Sequence, residues 1–239
     1  MIGLIVGQLQ AVGIASIIKS SLGKDTGGDR LLQFIINTFS FHAIALIAVH
    51  FFLRYHGMTW REFFGISRFR VRMAVWAVGA AAIILPLALM LNTFSAVLLT
   101  KLHLRLEEQP SMQALQLSVT LGQKIVFGLA AIVVAPIVEE SMFRGIFYPA
   151  IKQEGFPRTA LFGSSFLFAI IHVNLMTFIP LFVLALVFVF LLDRTDTLLT
   201  CILAHSSFNA ANFIIYLNRE KIEGWWDSAW RIFRHALPF

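Results

Sequence analysis

Charge is scarce in this chain. Of its 239 residues, 13% are Asp, Glu, Lys or Arg and 58% are hydrophobic. A typical soluble domain is about 25% charged and roughly 45–50% apolar. Cysteine is nearly absent: Cys201 stands alone, which excludes an intrachain disulfide framework. The apolar stretch 3–18 has no basic region before it and carries Gln8 and Gln10, which argues against a cleaved signal peptide and for a weak first membrane helix. The apolar runs are continuous rather than alternating, which excludes a membrane β-barrel. No internal repeat or low-complexity stretch divides the chain, so residues 1–239 are expected to form one integral membrane domain. A Gly-x-Ser-x-Gly elbow and a His-Glu-x-x-His zinc signature are both missing, which argues against a serine hydrolase and a site-two-type metalloprotease. The net charge of +6 comes without a basic stripe interleaved with aromatics, so no nucleic-acid partner is expected.

What is present is a series of apolar runs near membrane-spanning length. They cover about 31–53, 73–100, 123–149, 159–174, 176–192 and 197–217, with 3–18 as a weaker first span. The expected fold is all-α: a polytopic transmembrane bundle of about seven helices (six to eight) around a polar site. A polar connection, 101–120, holds Glu107, Glu108 and Pro110 and reads as a solvated loop. The tail, 218–239, mixes Trp225, Trp226, Trp230 and Phe233 with charges, as an amphipathic helix in the lipid headgroups would. Alternation of spans puts 54–72, 150–158 and 193–196 on one side. Those loops carry Arg54, Arg61, Arg68, Arg70, Arg72, Lys152, Arg158 and Arg194. The positive-inside rule makes that side cytoplasmic, with the N-terminus inside and the C-terminus outside.

Within these runs sit polar groups that lipid does not tolerate unpaired. Glu139 and Glu140 adjoin one another in Ala135-Pro-Ile-Val-Glu-Glu-Ser-Met-Phe-Arg144. An intramembrane acid is a functional-site candidate by default. Glu140 and Arg144 are i, i+4 and share a helix face, so they can pair. Glu139 points elsewhere and has Phe143 at i+4, which leaves it the freer carboxylate and the better general base. His205 and Asn209 are likewise i, i+4, as donors able to stabilise an oxyanion. Phe168 and His172 repeat the spacing, so a ring can pack under an imidazole. Structural roles compete with each reading: a helix-packing histidine, interhelical glue from Asn209 and Asn212, a structural ion pair at Glu140–Arg144. Depth favours function. At about 1.5 Å rise per residue, Glu139, His172, His205 and Asn209 fall roughly 14–21 Å from one membrane face.

Glu-Glu-x-x-x-Arg at 139–144, Phe-x-x-x-His at 168–172 and His-x-x-x-Asn at 205–209 resemble, in order, the three motifs of the CPBP family, the CAAX prenyl proteases and bacteriocin-processing enzymes, also called ABI. The resemblance covers 139–209, within a motif-bearing core of 123–217. It implies an intramembrane glutamic endopeptidase, acting on a peptide or membrane-protein substrate in the lipid bilayer. It implies that Glu139 activates water, that His172 assists, that His205 and Asn209 bind the oxyanion, and that Glu140 and Arg144 hold the geometry. No cofactor is expected. The alternative metal reading takes Glu139, His172 and His205 as zinc ligands with an open position. The short chain looks bacterial, which implies the inner membrane. Two other functions share these residues: a non-catalytic membrane scaffold or chaperone, and a proton-coupled transporter, although no repeat or broken helix pair is visible.

Overall fold

The computed structural model describes residues 27–107, 109–222 and 224. The expected helix over 3–18, Glu108, and the tail residues Trp225, Trp226, Trp230 and Phe233 lie outside them. The described residues are helical, with no strand among them. In chain order the elements are α1 (Gly27–Tyr55), α2 (Trp60–Phe64), α3 (Val71–Lys101), α4 (Pro110–Leu117), the long α5 (Leu121–Gln153), α6 (Pro157–Ile170), α7 (Leu175–Thr195) and α8 (Leu198–Leu217). Five stretches are long and apolar enough to cross a membrane: Ile35–Tyr55, Val71–Lys101, Leu121–Gln153, Leu175–Thr195 and Leu198–Leu217.

The apolar surface faces outward, as lipid requires. On α3, Val75, Ile83, Met90 and Phe94 are exposed, while the buried stripe is built from Ala77, Ala81, Ile84 and Ala88. Small residues let helix backbones approach closely where lipid supplies no hydrophobic drive. That stripe packs with Leu184 and Phe188 of α7 and Cys201 and Ala204 of α8. The chain is an integral, multi-pass helical membrane protein.

Two expected elements differ in extent. The run 159–174 becomes α6, which has 14 residues and ends at Ile170. At 1.5 Å per residue it is about 21 Å long, short of a hydrocarbon core of about 30 Å. The chain then turns through Val173 at φ 48°, and Asn174 caps α7 by accepting from the Thr177 N–H at 3.0 Å. The connection 101–120 is not all solvated loop. Its α4 buries Ala114 and Leu115 in a cluster with Phe127 and Ile35. Asn174 Nδ2 donates to the Glu107 carbonyl at 2.7 Å, and Gln109 Nε2 donates to Thr177 Oγ1 at 2.8 Å. This segment therefore packs over the α6–α7 turn.

The opposite end gathers the three basic loops. Lys152 and Tyr148 both bond Asp193 at 2.7 Å, and Arg68 lies 3.3 Å from Asp196. Thr197 Oγ1 donates to the Phe64 carbonyl at 2.9 Å. Gly65 makes that approach possible. It sits at φ 69°, and a Cβ there would lie 2.9 Å from Thr197 Cβ. Just before it, Thr59 and Glu62 form a capping box around α2; the Thr59 backbone N–H, then its hydroxyl, hold the Glu62 carboxyl below the ordinary range.

Candidate active site

The site is built on an irregular stretch of α5. Two π-helical turns, Ala130–Val134 and Phe143–Phe147, flank the α-helical segment that carries Glu139 and Glu140. Each precedes a proline, Pro136 and Pro149. A proline cannot donate to the preceding turn and clashes with its carbonyl, and a widened turn relieves both problems. The first π turn has a specific consequence. The Ala135 N–H bonds the Ala130 carbonyl. The N–H that would next reach the Ala131 carbonyl belongs to Pro136, which has none. Asn209 of α8 takes its place, with Nδ2 donating to Ala131 O at 2.8 Å. One of the two amide N–H bonds of Asn209 is thereby spent on backbone.

Glu140 and Arg144 are both fully buried, and Arg144 Nη1 donates to Glu140 Oε1 at 3.1 Å. The i, i+4 pairing survives the passage into the second π turn. Arg144 Nη2 also donates to the Ala185 carbonyl of α7 at 3.0 Å. Its guanidinium lies 4.5 Å from the Phe168 ring centre and 5.1 Å from that of Phe188. One planar cation thus ties α5, α6 and α7 together, which a lysine could not do.

Glu140 Oε1 accepts a second bond, from His205 Nδ1 at 2.9 Å. An ionised carboxylate only accepts, so Nδ1 carries the proton and Nε2 faces the other carboxylate. His205 Nε2 lies 3.9 Å from Glu139 Oε2. That is too long for a direct hydrogen bond, and it is a separation at which a bridging water is to be considered. The His205 ring stacks on Phe188, centroids 5.1 Å apart, and meets Phe168 edge-on at 5.9 Å. The Glu139 side chain keeps 18% exposure, against 0% for Glu140. The two adjacent acids therefore differ in surroundings: one is locked, the other open.

His172 lies in the turn after α6 rather than in the helix. Its Nδ1 donates to the Phe168 carbonyl at 2.7 Å, and its ring sits 5.0 Å from Phe168. Nε2 is left as its acceptor. Phe168 is fully buried and contacts Arg144, His172 and His205 at once. Among the described residues no three His, Cys, Asp or Glu side chains are grouped as a metal site would group them.

Phe188 was not among the residues singled out from sequence. It lies in a continuously apolar run, where one phenylalanine among many carries no signal. The bond from His205 to Glu140 spans 65 residues and is equally silent in sequence.

One buried and one partly exposed carboxylate, two histidines and an arginine held by aromatic rings define a polar centre inside a membrane helical bundle. Residues 121–211 match the family Rce1-like, type II CAAX prenyl endopeptidase. The match agrees with the three motifs. The matched stretch contains every polar residue of the site. No match was found among curated proteins or among solved structures.

Proposed function

We propose that the protein is an intramembrane endopeptidase in which Glu139 activates a water molecule. One observation carries the reading: His205 reaches toward Glu139 while Glu140 and Arg144 anchor it from behind. Glu139, the partly exposed carboxylate, takes a proton from water, and the water oxygen attacks the scissile carbonyl carbon. His172 Nε2 is free to hold that water. The tetrahedral oxyanion takes hydrogen bonds from His205, carrying a second proton on Nε2, and from the unspent N–H of Asn209. The proton held by Glu139 passes to the leaving amine, the C–N bond breaks, and a carboxylate and an amine leave. No acyl-enzyme forms and no metal enters a step. Two carboxylates balanced by Arg144 and an imidazolium leave the buried centre neutral, which offsets much of its cost in lipid.

The reading extends to a bacterial-type enzyme of the inner membrane with the end bearing Arg68, Lys152 and Arg194 in the cytoplasm, in keeping with the positive-inside rule. The test compares protein termini in membranes carrying wild-type or Glu139→Gln protein. New termini found only with wild type are expected and would identify the substrate. Identical termini, with partner function intact in the variant, would replace the peptidase by a scaffold.

A further inference from the structure

Arg54, Arg61, Arg68, Arg70 and Arg72 share a short stretch with one acid, Glu62. The stretch joins the end of the span Ile35–Tyr55 to the start of the span Val71–Lys101, which sets it at one membrane face, level with the lipid headgroups. All five arginines are exposed. Arg68 lies 3.3 Å from Asp196. The side chains of Arg54, Arg61, Arg70 and Arg72 have no hydrogen-bond or ion-pair partner among the described residues. The nearby acids are engaged elsewhere. Glu62 accepts from the Thr59 N–H at 2.8 Å and from its hydroxyl at 2.7 Å. Lys152 holds Asp193 and Arg68 holds Asp196. Of the three basic loops, only Glu154 brings an acid without such a partner among the described residues.

The helices do not offset this charge. Arg70 and Arg72 stand at the start of α3, whose first turn holds no acid and whose N-cap makes no side-chain bond. A cation at that end of a helix is unfavourable. The base beneath the arginines is fixed. Trp60, Phe63 and Phe64 turn inward onto Val49, Leu53 and Leu198, and Thr197 bonds the Phe64 carbonyl. Between the arginines, Tyr55, Met58, Ile66 and Val71 are exposed. Cations interleaved with outward apolar side chains suit the boundary between headgroups and acyl chains. A soluble acidic partner would leave those apolar groups unused.

We propose that residues 54–72 form a binding surface for anionic phospholipid. Arg54, Arg61, Arg70 and Arg72 meet the headgroup phosphates, and Tyr55, Met58, Ile66 and Val71 enter the acyl boundary. A guanidinium fork bonds two phosphate oxygens at once. A zwitterionic headgroup carries its own ammonium, whereas an anionic one leaves net charge for the arginines to meet. Each basic residue near an anionic surface favours it by about fivefold. The proposal does not depend on the peptidase reading.

The test places a donor dye on Ser67→Cys, an exposed position; the native Cys201 is buried and escapes the label. The whole protein is put into phosphatidylcholine liposomes. A trace acceptor dye rides on an acyl chain of either phosphatidylglycerol or phosphatidylcholine. Energy transfer should report at least about fivefold local enrichment of the anionic acceptor, the scale of one arginine. Arg54→Gln/Arg61→Gln/Arg70→Gln/Arg72→Gln should bring the two acceptors to equal transfer. Arg105→Gln, exposed on the opposite side of the α3 span, should keep the enrichment. About 1 M salt should remove it, since charges are then screened within about 3 Å. Equal transfer from both acceptors in the labelled protein with its arginines intact overturns the proposal. So does an enrichment that survives the fourfold variant. An enrichment removed by inorganic phosphate at matched ionic strength overturns it too, because the surface would then be a site for free phosphate.

Discussion

Arg144→Met is the sharpest perturbation of the scaffold. It removes the bonds to Glu140 Oε1 at 3.1 Å and to Ala185 O at 3.0 Å, and empties the space between Phe168 and Phe188. It also strands Glu140, which has 0% side-chain exposure. Breaking one partner out of a buried pair costs about 3–5 kcal/mol, because the other charge stays buried alone. For a chain of this size each kcal/mol is worth about 2–4 °C, so the melting temperature should fall by about 6–20 °C. Glu140→Gln should cost a similar amount by stranding Arg144. The double variant is the informative one. With both charges gone it should melt well above either single variant, since neutral replacements of a buried pair are often tolerated. Arg144→Lys should fall between wild type and Arg144→Met, because an ammonium keeps the charge and loses the planar fork. The assay is thermal unfolding in lipid nanodiscs, read as a double-mutant cycle. Single variants that melt like wild type, or whose losses simply add in the double, would refute the reasoning.

Gly145→Ala should destabilise by about 1–3 kcal/mol, because overpacking forces its neighbours aside. The new Cβ would meet Phe63 Cζ and would lie 2.8 Å from Phe63 Cε2, and that ring is itself buried. Phe63→Leu in the same chain should recover part of the loss in a thermal melt. Membrane-impermeant maleimide should label Glu154→Cys from the cytoplasmic face and Arg105→Cys from the outer face of intact cells. Both positions are exposed, and the native Cys201 is buried. Labelling of both from one face would contradict the proposed orientation. Chelation of purified protein should leave cleavage unchanged, and loss restored by added zinc would favour the zinc reading of Glu139, His172 and His205.

Legibility in sequence followed the range of each interaction. Continuous apolar runs predicted the long helices, because lipid imposes length and hydrophobicity residue by residue. The Glu140–Arg144 pair was legible because i, i+4 spacing is local. So was the separation of Glu139 from Glu140, since neighbours on a helix point apart. The two π turns were less so: Pro136 and Pro149 mark a disturbance but do not say whether the helix kinks or widens. The role of Asn209 toward Ala131 depends on that outcome. The anchoring of His205 on Glu140 and the clamp of Phe168 and Phe188 around Arg144 arise from tertiary packing, which periodicity does not encode. The early end of α6 was hidden for a similar reason. Residues 171–174 are apolar enough to continue a span, and only the capping of α7 by Asn174 and its bond to Glu107 decide the turn.

The central claim is that the two adjacent glutamates divide the work, with Glu140 holding the site and Glu139 acting on water. The direct measurement is the cleavage rate of purified Glu139→Gln protein that melts like wild type. The account predicts a loss of about 10²–10⁴-fold or more, as for removal of a general base, with the fold intact. Wild-type cleavage by that folded variant would contradict it.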